Sequence, residues 1–253
     1  MAKITDCVTF NGEYALWDLR YNILKEYVDE FVVVEAPTTF SGKPKELYFK
    51  NVKDAYDKVK YFVIDENYTW AEIEQAYKSP NTQGAEHWMR EFTQKESIKK
   101  ALVHLNDEDI VFIGDCDEIY SKEALNAELN QKLRLRVYAY YLNNYSSEQF
   151  AGTFKGKWGD IKDKCLNHLR SGSKWSDKYY GWHFTSLKDG LRRKLTDSYT
   201  QETYANEWVM GNLDKNIAEN RDFLNRQFIY KTDESEWPDY LKKNKEKYKS
   251  LCK

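Results

Sequence analysis

The sequence predicts an α/β fold with a mostly parallel central sheet flanked by helices. Four apolar runs have the length of buried strands: "CVTF" at 7–10, "FVVVEA" at 31–36, "KYFVID" at 60–65 and "DIVFIGD" at 109–115. Helical patterns alternate with these runs, and this alternation is typical of a parallel sheet. Ligands of such sheets bind beyond the carboxyl ends of the strands, so we expect a functional site where these runs end.

Two helices are predicted between these strands. The first follows the first strand, where the apolar positions of one helical face are Leu16, Leu19, Ile23 and Tyr27. The second strand leads into a Gly/Pro loop, "TTFSGKPKEL", at 38–47. A longer helix precedes the fourth strand, because its apolar residues recur at helical spacing. These are Trp88, Phe92, Ile98, Leu102 and Leu105.

The second half of the chain gives weaker signals. "LRLRVYAYYLNNY" at 133–145 alternates as a strand with one exposed face does, and the Gly-, Trp- and Lys-rich sequence after it predicts irregular structure as far as "YYGWHFTSL" at 179–187. Helical periodicity returns within 202–224. The basic end, 239–253, predicts a solvated helix or frayed tail, with contact to an anionic membrane or partner as the alternative. No repeat or linker is visible, so we predict one domain, 1–253.

Composition excludes several classes of protein. Of the 253 residues, 41% are hydrophobic and 32% are charged, which is typical of a globular chain and not of a disordered one. A net charge of -2 gives no general attraction to nucleic acid. The 20 Tyr and 8 Trp suit surfaces that stack on planar or sugar-like ligands, although a compositional bias would give the same counts.

The chain carries no visible targeting segment. Its first residues, "MAKITDCVTF", lack the apolar region of a secretion signal, and no run approaches the roughly 20 apolar residues of a membrane span. We therefore expect a cytoplasmic protein. The cysteines are too widely spaced for a zinc or redox motif and are expected to be reduced thiols. They are Cys7, Cys116, Cys165 and Cys252.

Three carboxylates, Asp115, Asp117 and Glu118, follow the fourth apolar run. Residues i and i+2 of an extended chain point the same way, so the two aspartates can converge on one cation. Oxygen ligands favour Mg²⁺ or Mn²⁺, which keep positions for water and substrate phosphates. The alternative is an acidic turn before a helix capped by Ser121.

Two kinds of reaction fit such a D-x-D site. A phosphatase with an aspartyl nucleophile usually carries the motif after its first strand, followed by Thr or Val. Here the motif lies in the middle of the chain and Glu118 follows it. Transfer of a sugar from a nucleotide diphosphate, in which a cation neutralises the departing diphosphate, fits this position better.

The stretch "VDEFVVVEAPTTFSGKPKEL" at 28–47 is the strongest of several ordered motifs. Together they resemble glycosyltransferase family 17, the β-1,4-mannosyl-glycoprotein N-acetylglucosaminyltransferases. The others are "GEYALWDLRYNIL" at 12–24, "DCDEIY" at 115–120 and "GWHFTS" at 181–186. Two further motifs are matched by Trp88, Glu91, Gln94 and Lys95 and by Lys194, Ser198, Tyr199 and Glu202. The chain departs from the family pattern at Gly12, Tyr120 and Thr200.

The resemblance implies a GT-A type nucleotide-sugar-binding fold with a less regular acceptor-side region toward the C-terminus. It implies an inverting enzyme with Mn²⁺ or Mg²⁺, UDP-GlcNAc as donor, and a glycan or glycolipid as acceptor. Within the single domain, residues 1–120 would form the nucleotide-binding half, 121–210 the acceptor-side half and 211–253 a helical, basic tail. Without a signal or anchor, a bacterial or viral origin is expected.

The resemblance and the strand ends together predict roles for individual residues. The metal ligands would be Asp115, Asp117 and His183. The donor-binding residues would be Glu13, Arg20, Glu35, Lys43, Lys45, Glu91, Lys95, Asp115 and Trp182. Inversion also needs a carboxylate base on the acceptor side. Asp160 in "KWGD" is the first choice for that base, with Glu118 and Asp177 as alternatives.

Two other functions remain open from the sequence. A carbohydrate-binding relative without turnover is one, because the departures at Gly12, Tyr120 and Thr200 fall within family motifs. A metal-dependent phosphatase or nuclease is the other. Loss of transfer in an Asp117→Ala variant that still folds would decide for the transferase, whereas turnover of phosphate esters without binding of nucleotide sugars would decide for the phosphatase.

Overall fold

The computed structural model describes residues 2–64, 86–198 and 205–253 of the chain. One sheet runs through these residues. Its strands are β1 Ile4–Thr9, β2 Glu30–Glu35, β3 Val59–Val63, β4 Ile110–Asp115, β5 Glu118–Tyr120, β6 Gln131–Ala139, β7 Asn144–Lys157, β8 Trp175–Thr185 and β9 Tyr230–Thr232.

Seven α-helices belong to the same residues. They are α1 Tyr14–Leu24, α2 Glu86–Ala101, α3 Trp158–Ile161, α4 Leu166–Gly172, α5 Lys188–Ser198, α6 Glu207–Ala218 and α7 Asp239–Lys243. Short 3-10 helices occupy Phe49–Asn51, Lys53–Ala55, Lys122–Asn126 and Lys245–Leu251. The structure confirms the predicted α/β class with a large central sheet flanked by helices.

The strand order is β3-β2-β1-β4-β7-β6-β8-β5, and β9 pairs with β7. β1 to β4 form a parallel block, as the four apolar runs predict. β7 continues the sheet antiparallel to β4 and to β6, whereas β6 and β8 are parallel. The sheet is therefore parallel in its first half and mixed in its second. The region expected to be irregular contains most of β7, residues 146–157, and the start of β8.

The sheet buries a hydrophobic layer on each face. Alternate residues of β2 point to opposite faces, so Val33 packs with Trp17 of α1, and Val32 packs on the other face with Ile98 of α2 and with Leu102, which follows that helix. A third cluster joins α5 and α6 through apolar side chains of both helices. These layers fix the helices that surround the carboxyl ends of the parallel strands.

The C-terminal segment packs on the core. Trp237, Leu241 and Tyr248 are buried in the same layer as α1, and the backbone N–H of Leu142 donates to the carbonyl of Leu251. The expectation of a solvated helix or frayed tail was wrong, because apolar residues that become buried lie between the many lysines of this segment. Among the described residues, none of the helices combines the length and hydropathy that crossing a bilayer requires.

Candidate active site

A cleft of about 200 Å³ opens at the carboxyl ends of β1, β2 and β4. Parallel register brings these ends together, because Thr9 lies beside both Asp115 and Val34. Helices α2 and α5 and strand β8 supply other walls. The lining residues are Thr9, Phe10, Asn11, Glu13, Thr38, Thr39, Phe40, Lys45, Glu91, Gln94, Lys95, Asp115, Cys116, Asp117, Glu118, Phe150, His183, Thr185 and Lys194.

Eight of the residues proposed from the sequence line this cleft. They are Glu13, Lys45, Glu91, Lys95, Asp115, Asp117, Glu118 and His183. They come from five separate parts of the chain, so the cleft depends on the long-range register of the sheet.

Asp115, the last residue of β4, is held by a two-point ion pair. Arg170 of α4 donates to both of its carboxylate oxygens, at 2.9 and 3.0 Å, and also donates to Glu118 at 2.7 Å. Burial alone would raise the pKa of the Asp115 carboxyl, but Arg170 and Lys95 outweigh it and hold that pKa well below its usual range. Asp115 is therefore ionised.

Asp117 faces the opposite wall. Its Oδ2 accepts a hydrogen bond from Lys194 Nζ at 2.9 Å and lies 3.5 Å from His183 Nε2. Burial opposes ionisation, yet Lys194 and His183 hold the pKa of Asp117 far below its ordinary value. The two aspartates of the D-x-D motif are thus both charged, and each has its own cationic partner.

His183 is placed by the pairing of two short strand segments. Glu118 of β5 lies opposite His183 of β8 in the antiparallel ladder. The imidazole stacks on Phe150, with ring centroids 4.0 Å apart and planes 24° from parallel. Its Nδ1 is buried and has no hydrogen-bond partner in the described part of the chain. The ring therefore has a fixed orientation that leaves Nε2 toward Asp117.

Glu118 forms the floor of the cleft. Its side chain is 2% exposed, and one carboxylate oxygen accepts from the backbone N–H of Asp115. A Cβ on Gly152 would lie 2.5 Å from the Glu118 carboxyl carbon, so β7 must carry glycine there. Burial raises the pKa of Glu118, with Arg170 opposing and Asp115 adding to the rise.

Arg20 supports the site from below and does not line it. It is fully buried on α1 and makes a two-point pair with Asp6 of β1. Its remaining N–H groups donate to the backbone carbonyls of Asp115 and Glu118. The prediction that Arg20 contacts the donor was wrong, because its donors fix the backbone of the D-x-D loop.

Glu35 at the end of β2 is also internal. Its carboxylate accepts four hydrogen bonds, from Lys45 Nζ, the backbone N–H groups of Tyr48 and Phe49, and the Tyr61 hydroxyl. A carboxylate accepts about four such bonds, so none is left for a ligand. The predicted donor contact of Glu35 is therefore wrong, and the residue instead anchors the Gly/Pro loop to the sheet.

Glu91 and Lys95 form an i,i+4 ion pair of 2.6 Å on α2, and Lys95 Nζ lies 4.0 Å from Asp115. Burial opposes the charge on Lys95, but Asp115 and Glu91 raise its pKa, so the ammonium persists. Both residues lie in the described part of their motif, along with Gln94. The side chain of Trp88 falls outside the described residues, as do Tyr199, Thr200 and Glu202.

Glu13 is the cleft carboxylate without an ion pair in the described residues. Its Oε2 accepts the backbone N–H of Asn11 at 2.7 Å. Burial raises its pKa, assisted by nearby Asp117 and opposed by that backbone hydrogen bond. Glu13 can therefore hold or release a proton at higher pH than an exposed glutamate.

Other predicted positions lie away from the cleft. Asp160 is on α3, after the end of β7 that pairs with the start of β4, so it occupies the opposite edge of the sheet. Its carboxylate accepts from Asn130 there. Asp177 is exposed near the start of β8 and does not line the cleft. These placements argue against Asp160, the first choice of base, and against Asp177, one of its alternatives.

Trp182 and Lys43 also miss the cleft lining. Neighbouring residues of a strand face opposite sides, so the exposure of His183 to the cleft turns Trp182 to the other face. There it borders a separate cavity and donates to the carbonyl of Glu236. Lys43 reaches α5, where it pairs with Asp197 at 3.7 Å. Neither placement supports the predicted donor contact.

The donor groups of Asp117 and His183 suit a divalent cation. Within the described ranges no set of three His, Cys, Asp or Glu side chains converges on one point, since Asp115 is turned to Arg170. Asp117 and His183 do meet, and two protein ligands would leave positions for phosphate and water on a bound Mn²⁺ or Mg²⁺. The pair therefore fits as two of the three predicted ligands.

Two cations were missed from the sequence as site residues. Arg170 lies in "LNHLRSG", a short helix without a motif signal, and its reach to Asp115 spans 55 positions. Lys194 belongs to a recognised motif, but nothing in its local sequence pointed to Asp117. Pairing of β8 with β5, which brings α5 over the cleft, was the missing information.

Comparisons with known proteins identify one family by sequence. The sequence model of glycosyltransferase family 17 matches residues 1–183. The β-1,4-mannosyl-glycoprotein 4-β-N-acetylglucosaminyltransferases of Rattus norvegicus and Homo sapiens are each 24% identical over 125 residues, or 49% of this chain. The match spans only 22% and 23% of those relatives.

Matches to solved structures are more distant. HddC from Yersinia pseudotuberculosis gives a TM-score of 0.37 at 11% identity, covering 74% of this chain and 91% of that protein. Residues 1–349 of TarS from S. aureus give 0.36 at 12% identity, covering 76% and 63%. Likeness at this level adds nothing to the strand order described above.

Proposed function

Because the chain belongs to glycosyltransferase family 17, we propose that it transfers a sugar from a nucleotide-sugar donor to a sugar acceptor. The observation that carries this proposal is the cleft at the ends of β1, β2 and β4, with Asp115 and Asp117 fixed at its mouth between Lys95 and Lys194. Beyond the carboxyl ends of parallel strands is where nucleotides bind in α/β sheets.

Charge favours a donor that arrives with a cation. Five carboxylates and three lysines line the cleft. Even with Glu13 and Glu118 neutral, the three lysines would only balance the other three carboxylates, and ionisation of either glutamate makes the lining negative. Even with Arg170 included, the positive excess is smaller than the charge of a doubly ionised diphosphate. A diphosphate donor therefore needs positive charge from outside the chain.

We assign that charge to Mn²⁺ or Mg²⁺ held by Asp117 and His183. Such an ion supplies Lewis acidity to the departing diphosphate when it is bound. The chain's own contribution is to orient the leaving group and to stabilise its charge. Lys95 and Lys194 stand on either side of the two aspartates for this purpose.

Inversion requires one carboxylate to take the proton of the acceptor hydroxyl. Two cleft carboxylates have raised pKa values, Glu13 and Glu118, and one of these is the proposed base. Glu13 makes no ion pair among the described residues, whereas Glu118 must give up Arg170 to act. The pH profiles of Glu13→Gln and Glu118→Gln separate them, because only loss of the base removes the lower limb of the profile.

The names of the matched relatives support N-acetylglucosamine as the sugar and a mannose-containing glycan as the acceptor. We therefore propose UDP-GlcNAc as donor. The relatives are longer than this chain, so a different acceptor is compatible with the same donor cleft.

Calorimetric titration with UDP-GlcNAc, UDP-glucose, UDP-galactose and GDP-mannose, each with and without Mn²⁺, tests the donor site. Binding of UDP-GlcNAc is expected to need Mn²⁺ and to weaken at least about tenfold in Asp117→Asn, because that variant removes a charged ligand. Asp107→Asn is the matched control, since Asp107 pairs with Lys162 at the opposite edge. Release of UDP from UDP-GlcNAc, alone and with sugar acceptors, then measures turnover.

Three results would argue against the proposal. Metal-independent binding would remove the cation from the mechanism. Equal loss in the Asp117 and Asp107 variants would indicate general damage to the fold. If no nucleotide sugar binds to folded protein in the presence of Mn²⁺, the transferase assignment fails, and hydrolysis of phosphate esters becomes the next reaction to assay.

A further inference from the structure

Lys194 already neutralises the Asp117 carboxylate that a divalent cation would bind. Its Nζ lies 2.9 Å from Asp117 Oδ2 and 3.4 Å from the Thr185 hydroxyl. Asp117 is only 10% exposed, so its carboxylate has little contact with water that could screen a second positive group. An ammonium and a divalent cation at the same buried carboxylate repel one another.

The partial exposure of Lys194 lets its side chain change position while its helix stays in place. It is 31% exposed, three times the exposure of its aspartate partner. Leu191 and Leu195 of the same helix are buried against α6, which fixes the α5 backbone. A lysine has four rotatable side-chain bonds, so its ammonium can swing toward the cleft without movement of the helix.

We propose that Lys194 exchanges partners when the donor binds. In the free protein it neutralises Asp117 and keeps that buried carboxylate compensated. When a divalent cation takes Asp117, Lys194 moves to the diphosphate of the nucleotide. The inference rests on the proposed function and adds a positioning role that the donor site alone does not require: the same residue weakens binding of the metal alone and strengthens binding of the nucleotide.

The opposite signs of these two effects make the exchange testable. In Lys194→Met, Mn²⁺ binding to the nucleotide-free protein, followed by electron paramagnetic resonance of free Mn²⁺, is expected to tighten about tenfold. With saturating Mn²⁺, calorimetry is expected to show UDP binding weakened by about tenfold in the same variant. Lys194→Arg, which keeps the charge, should stay close to the wild type in both titrations.

Arg192→Met is the matched control. It removes one positive charge from the same helix, but Arg192 is half exposed and pairs with Asp214 outside the cleft. Neither affinity should change in it. Circular dichroism melting of each variant checks that α5 remains folded.

Each other outcome overturns the exchange. If both affinities fall in Lys194→Met, the lysine only supports Asp117. If both rise, it only blocks the site. If neither changes, it contacts neither ligand. If the wild type binds UDP without Mn²⁺, the cation of the proposed function fails and the exchange fails with it. If UDP binding depends on Mn²⁺ but Lys194→Met does not change the two affinities in opposite directions, the proposed function stands and only the exchange is overturned.

Discussion

The pKa values of the carboxylates at the D-x-D motif shift in opposite directions because their surroundings differ. Asp115 and Asp117 each face a cation, and the pKa of each falls well below its usual range. Glu118 and Glu13 are raised by burial. The local sequence cannot predict this division, since Arg170 and Lys194 lie 55 and 77 positions from their aspartates.

Glu13→Gln tests the raised pKa through stability. A carboxyl whose folded pKa lies above its unfolded value favours the fold below the unfolded pKa, and that benefit is lost as pH rises through the folded pKa. The variant keeps the acceptor for Asn11 without the charge. We expect equal stability of variant and wild type at pH 4 and a more stable variant at pH 7, measured by urea unfolding.

The control for this comparison is Glu26→Gln, an exposed glutamate after α1. Its effect on stability should be small, because the side chain is exposed. A Glu13 variant that is less stable than the wild type at pH 7 would show that the ionised carboxylate supports the fold.

Strand β7 shows why the sequence predicted one half of the sheet better than the other. β1, β2 and β4 are buried on both faces and read as continuous apolar runs. β7 has polar residues between its apolar positions, and it carries Gly152 where Glu118 packs against its backbone. That requirement comes from another strand, so the local pattern looked irregular.

Gly152→Ala tests the packing of the Glu118 side chain against β7. The new methyl group would lie 2.5 Å from the Glu118 carboxyl carbon and 2.6 Å from the Phe150 ring. We expect a loss of about 1–3 kcal/mol in the free energy of unfolding. Gly211→Ala is the matched change on α6, where no atom lies within 4 Å, and it should stabilise the protein by about 0.5–1 kcal/mol. Equal effects would contradict the packing described for β7.

At the scale of the whole molecule, the last residues belong to the core. The sequence located the D-x-D loop and the strands that lead to it, because those signals are local. It misplaced Asp160, since which edge of the sheet a residue occupies follows from the direction of β7. It also misjudged the C-terminus, because buried apolar residues there alternate with solvated lysines.

Leu241→Ala tests that C-terminal packing. Leu241 is fully buried against α1, so the variant should lose about 2–5 kcal/mol of unfolding free energy. Lys243→Ala, on the exposed side of α7, should change stability by less than about 0.5 kcal/mol. Chemical denaturation measures both. A Leu241 variant as stable as the Lys243 variant would mean that the terminal segment is dispensable.

The strand order has a consequence for the timing of folding. Only Cys116 and Asp117 separate β4 from β5, yet β7, β6 and β8 lie between these two strands in the sheet. The sheet must therefore curl so that β5, the last strand in the order, comes back to β4, and the D-x-D loop connects the two. His183 lies beside Asp117 because β8 pairs with β5. Since these contacts join distant parts of the chain, we expect the cleft to assemble late in folding and ligands that bind it to stabilise the folded protein.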